Sequence, residues 1–198
     1  MRTLIVASNN KHKIIEIKEL LKGFKLKVLS LKDAGIDIDV EETGKTFSEN
    51  AYIKAAAIKE LSKEAMILSD DSGLMVEYLD GAPGVYSARF AGEHGDSEKN
   101  NQKLLKLLKD VPREKRGAKF VCSMVLIDGD KVISVEGESK GIITEDYEGH
   151  GGFGYDPLFF VEEFNGTYAE ITQEQKNSIS HRGRAMELLK MELKNNLV

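Results

Sequence analysis

Residues 118–127 read AKFVCSMVLI and residues 131–143 read KVISVEGESKGII, with Asp128 and Gly129 between them. Two long strand candidates meeting at an Asp-Gly pair carry the signature of a β-hairpin. A hairpin sets its strands antiparallel, so an all-parallel sheet is excluded. Elsewhere short apolar runs alternate with helical spacing, which points to an α/β protein. We expect a mixed, partly antiparallel long sheet with flanking helices, folded as two lobes around a central cleft within one domain spanning 1–198.

Upstream of the hairpin, Thr3 to Ala7 reads as a short buried strand and SNNKHK as a polar loop. Ile14, Ile17, Leu20 and Leu21 then recur at helical spacing until Gly23. Lys25 to Leu29 suggest a second strand, and DAGIDIDVEETGK an acidic loop. Thr46 and Glu49 form a capping-box pattern before the helix AYIKAAAIKELSKEA. The apolar run Ala65 to Leu68 should form a strand closed by Asp70 and Asp71, with Ser72 and Gly73 turning the backbone. LMVEYL follows as a strand, GAPGVYSARFAGEHG as a long loop, and EKNNQKLLKLLKD as a helix ended by Pro112. Downstream, EGHGGFGYDP is the densest glycine tract, and a last helix opens near SISHRGRA and continues through MELLKMELK.

Composition narrows the function classes. Hydrophobic residues at 41% and charged ones at 31% rule against disordered and fibrous chains. A formal net charge of −5 argues against duplex nucleic acid as a partner. The apolar run in MRTLIVASNN is too short for a signal peptide or a membrane span, so no membrane partner and a cytoplasmic location are expected. Cys122 is the single cysteine, which leaves no intrachain disulfide and suggests a core residue.

The acid pair Asp70–Asp71 is the strongest chemical signal. Adjacent carboxylates repel, so one should be raised in pKa unless a cation or a donor relieves it. Mg²⁺ is the commonest relief and is shared with substrate phosphates. The loop Ser8, Asn9, Asn10, Lys11, His12, Lys13 feeds a helix N-terminus, where a phosphate would fit, although these residues by themselves favour a simple Ser or Asn cap with solvated lysines. Glu41 and Glu42 read as loop acids, and Lys54 points either to water or to a phosphate. Phe153 and Tyr155 in GGFGYDP offer rings for stacking, with Asp156 as an acceptor, or else complete the core. Lys176, Ser180, His181 and Arg182 sit near a helix start, where cations oppose the dipole unless they face an anion or an acceptor.

Taken in order, SNNKHK, EETGKTFSENA, SDDSGL, GAPGVYSARFAG, GGFGYDP and SHRGRA resemble the signature set of the inosine/xanthosine triphosphate pyrophosphatase family over nearly the whole chain. The resemblance implies Mg²⁺-dependent hydrolysis of ITP, dITP or XTP to the nucleoside monophosphate and pyrophosphate by a homodimer. It also implies roles. Asp71 would be the general base and, with Glu42, a metal ligand. The stretch Ser8 to Lys13, Lys54 and the Ser72 backbone would hold the phosphates. Phe153, Gly154, Tyr155, Asp156, Lys176, His181 and Arg182 would hold the base, with Arg89 a looser candidate. One departure is Asn9, where the family often has Gly; Asn tolerates left-handed backbone. Pyrophosphatases of other modified nucleotides and non-catalytic nucleotide sensors are the competing readings.

Overall fold

Strand-forming runs separated by capped helices give, in the computed structural model, an element order of β1 (Arg2–Val6), α1 (Lys11–Leu20), β2 (Leu26–Ser30), α2 (Phe47–Leu61), β3 (Met66–Val76), α3 (Ser97–Leu107), β4 (Gly117–Asp128), β5 (Lys131–Ile143), β6 (Phe159–Val161), β7 (Gly166–Thr167), α4 (Gln173–Ile179) and α5 (His181–Asn196). Residues 1–196 are described, the side chains of 195 and 196 excepted. The strands follow the order β2-β1-β3-β4-β5-β6-β7. β1 runs parallel to β2 and β3, whereas β6 is antiparallel to β5 and β7. The sheet is therefore mixed, as the hairpin required.

The chain divides into two compact units. The first comprises residues 1–71, 122–137 and 182–198, and the second residues 72–121 and 138–181. In the first unit the sheet is buried on both faces, because strand side chains alternate. Leu4, Val6, Met66, Leu68, Cys122, Met124 and Leu126 pack against Ile17 and Leu21 of the α1 region and against Ala185, Met186 and Leu189 of α5. Ile5, Ile67, Val125 and Ile127 face the other way, onto Ala51, Ala55 and Ile58 of α2. Each such Leu, Ile or Met contributes about 1.5–3 kcal/mol by burial. In the second unit Leu74, Leu104, Leu108, Phe120, Phe159 and Tyr168 form a separate core.

Several element ends differ from the sequence reading. β3 does not close at the acid pair but continues to Val76, so Ser72 and Gly73 are extended rather than turned. The reversal comes later, at Asp80 and Gly81, whose φ angles are 50° and 85°. α2 stops at Leu61, short of Ala65, because the Lys59 ammonium donates to the carbonyls of Lys63 and Ala65 and fastens the following turn. α3 ends at Leu107, well before Pro112. There the buried guanidinium of Arg116 donates to the carbonyls of Leu108, Val111 and Thr144 and replaces helix bonding. GAPGVYSARFAGEHG contains a 3-10 turn at Gly84–Arg89. α4 is an unanticipated helix, and its signal was Thr172 and Gln175, which form a reciprocal cap.

Candidate active site

Asp70 and Asp71 are neighbours in an unbroken strand, so their side chains leave the sheet on opposite faces. Asp70 points to the α1/α5 side. Its Oδ2 lies 3.1 Å from the Lys13 ammonium and 3.3 Å from the Arg182 guanidinium, which also pairs with Glu16. Asp71 points to the α2 side, where Asn50 Nδ2 donates to its Oδ2 at 3.1 Å and Lys54 Nζ stands 3.8 Å from its Oδ1. The nearest cations thus differ by face, Lys13 and Arg182 for Asp70 and Lys54 for Asp71.

Their acidities diverge accordingly. Burial resists ionisation of Asp70, but the charges of Lys13, Arg182 and Lys54 prevail and hold its carboxyl well below the usual range. For Asp71 burial outweighs the attraction of Lys54 and Lys13, and its carboxyl is pushed up. Burial also opposes the Lys54 ammonium, yet Asp71, Asp70 and Glu42 raise it. Cys122, buried beside Asp70, has its thiol pushed up to about 12.

The loop before α1 is held by its own side chains. Asn10 is the N-cap and accepts from the N–H groups of His12 and Lys13 at 3.0 and 3.2 Å. Ser8 Oγ accepts from the Asn10 N–H, and Asn9 donates to the Ile38 carbonyl. Lys11 and His12 are exposed, while Lys13 is half-buried. Of the two loop acids, Glu41 is exposed and Glu42 is half-buried, 2.5 Å from Lys54 Nζ. The first unit thus gathers Lys13, Glu42, Lys54, Asp70, Asp71 and Arg182.

In the second unit the hub is Asp156. Its Oδ2 accepts from Lys176 Nζ at 2.7 Å and from the Phe153 N–H at 2.8 Å. The Lys176 ammonium also lies 4.7 Å from the Phe153 ring centre. Gly152 adopts φ +71, and a Cβ there would sit 2.2 Å from Asp156 Oδ2, so the loop needs glycine. Gly154 O accepts from Asn101 Nδ2 at 2.9 Å. The Tyr155 side chain is not a stacking platform: its ring joins the core and its hydroxyl donates to the Ser87 carbonyl. His181 is buried and stacks on Phe120 with 4.7 Å between ring centres. Ser72 is half-buried, and Arg89 lies over the Tyr86 ring.

Sequence reading missed Glu16, Asn50, Asn101 and Arg116. Isolated polar residues in helices, such as Glu16, Asn50 and Asn101, or in a loop, such as Arg116, look solvated, and only packing shows that these four are buried. Among the described residues, no group of three or more His, Cys, Asp or Glu side chains gathers to hold a metal ion.

Buried carboxylates of divergent acidity, matched with lysines on a mixed sheet, are the equipment of an α/β enzyme. The chain belongs to the Ham1 family, whose profile matches residues 4–192. It is 56% identical to a protein of Clostridium perfringens named dITP/XTP pyrophosphatase, over 98% of each chain. The Ham1 protein of Staphylococcus aureus superposes with a TM-score of 0.87 at 39% identity, covering 98% of this chain and 99% of that one. A HAM1 protein from Coxiella burnetii gives 0.89 at 37% identity, covering 98% and 100%.

Proposed function

We propose that this chain hydrolyses dITP, XTP and ITP to the nucleoside monophosphate and pyrophosphate with Mg²⁺, clearing non-standard purines from the nucleotide pool. The observation that carries this is the Asp71–Lys54–Glu42 cluster, in a chain 56% identical to a dITP/XTP pyrophosphatase. Glu42 and Asp71 fit a hard divalent ion. They are oxygen donors brought to one lysine, and Mg²⁺ is commonly held by one or two carboxylates with phosphates and water completing its shell. When bound there, the ion would neutralise charge on the phosphate oxygens.

Asp71, with its raised pKa, is suited to take a proton from the attacking water. Lys13 and Lys54 offset phosphate charge, joined by Ser8, Asn9, Asn10, Lys11, His12 and Ser72. With two of the helix N–H groups already bonded to Asn10, the lysine side chains carry most of the attraction. For the base, Phe153 offers a half-buried ring beside the Lys176–Asp156 pair, with Gly154 and the Tyr155 backbone completing the loop. His181 and Arg182 are donors suited to a purine 6-oxo group. Against the amino group of adenine a donor is mispaired, at about 1–3 kcal/mol per contact.

The enzyme is further proposed to work in the cytoplasm as a homodimer. No helix among the described residues is long and apolar enough to cross a membrane. The test is pyrophosphate release from XTP, dITP, ITP, ATP and GTP, with Mg²⁺ and with EDTA. Turnover of the first three alone, abolished by chelation, is the expected result. Tight binding of ITP without turnover makes the protein a sensor, and preference for methylated pyrimidine triphosphates makes it a pyrophosphatase of other nucleotides.

A further inference from the structure

We propose that Asn50 is a positioning residue whose amide aims the Asp71 carboxylate, a role that rests on the reading of Asp71 as base and metal ligand. Asn50 has no solvent exposure and lies in the first turn of α2. The backbone there is fixed by the reciprocal bonds of Thr46 and Glu49, and the Asn50 N–H donates to Thr46 O at 3.1 Å. Its partners dictate which way the amide faces. Gly44 N–H can only donate, so Asn50 Oδ1 must accept from it, at 2.8 Å. That leaves Nδ2 to donate to Asp71 Oδ2, at 3.1 Å.

Gly44 shows how close the approach is. A Cβ on it would sit 2.6 Å from Asn50 Oδ1, so the segment that carries Glu42 reaches Asn50 only with glycine at this position. One buried amide therefore ties the Glu42 loop to the strand bearing Asp71. With Oδ2 held by Asn50, the Oδ1 edge of Asp71 is turned toward Lys54. An amide suits the position because it donates without adding charge, whereas a carboxylate would repel Asp71.

The test separates aiming from simple packing. Asn50→Asp keeps an oxygen for the Gly44 N–H but loses the donor to Asp71; Asn50→Ala loses both. XTP turnover with Mg²⁺ is measured for the full-length wild type and both variants, with kcat and KM resolved and folding checked by thermal unfolding. Metal affinity without nucleotide is read with Mn²⁺. The expected result is a fall in kcat of about 10- to 100-fold for both variants, with KM for XTP within about threefold of wild type and weakened Mn²⁺ binding. A folded Asn50→Asp with wild-type kcat overturns the proposal, since packing against Gly44 is then all the residue does. If that variant does not fold, a folded Asn50→Ala with unchanged kcat overturns it equally. A wild type that turns over none of the tested triphosphates overturns the underlying reading as well.

Discussion

Asp70 and Asp71 are chemically identical and adjacent, yet the fold drives their acidities apart, Asp70 down and Asp71 up. The cause is strand alternation, which hands Asp70 to Lys13 and Arg182 and Asp71 to Asn50 and Lys54. As the proposed base, Asp71 must be deprotonated to act, so activity is expected to fall as pH drops through its raised pKa. The acid limb of kcat/KM is expected above the ordinary aspartate value of about 4, and a pH–rate profile reads it directly. Stability moves oppositely at the two positions. Asp70, depressed on folding, contributes stability that is present above its unfolded pKa and lost as pH falls through the folded one. Asp70→Ala removes the partner of the half-buried Lys13 and leaves the buried Arg182 with Glu16 alone, and should cost about 3–5 kcal/mol in urea unfolding. Asp71→Asn removes a carboxylate that burial disfavours, so it should unfold at least as late as wild type at pH 7.

Among the elements, the start of α2 matters most, because it presents Asn50 and Lys54 to the strand behind it. Thr46→Ala breaks the reciprocal cap and should lower stability by about 1 kcal/mol, measured by chemical unfolding. This cap was legible in the sequence, since Thr and Glu three residues apart have few other uses. So was the hairpin, although its turn is Gly129–Asp130, Asp128 being the last residue of β4. The ends of α2 and α3 were not legible, because distant groups set them: the Lys59 ammonium for one and the Arg116 guanidinium for the other. The run through the acid pair was misread for a related reason. Two charged residues look like the end of a strand until lysines on both faces are in place to receive them. At the site, residue types alone singled out the acid pair, and Glu42, Lys13 and Lys54 came only through the family resemblance, whereas the split of Asp70 and Asp71 between faces and the buried amide of Asn50 required the fold.

For the whole molecule, the two compact units carry distinct chemistry. The first holds the carboxylates and the lysines suited to phosphates, and the second holds the Phe153–Asp156–Lys176 cluster suited to a base. Lys54→Ala in the first should therefore depress kcat for every accepted nucleotide, while Lys176→Ala should alter the ratio of XTP to ATP turnover more than the rate on XTP. Sedimentation equilibrium at micromolar concentration is expected to give twice the chain mass, as the proposed homodimer requires. The central claim is that Asp71 drives hydrolysis of non-standard purine triphosphates, and it is tested most directly by pyrophosphate release from XTP and ATP with Mg²⁺, for wild type and Asp71→Asn at equal folded concentration. XTP turnover by the wild type, little on ATP, and loss of at least about a thousandfold in the variant is the predicted result. Full XTP turnover by Asp71→Asn, or equal rates on XTP and ATP, would contradict it.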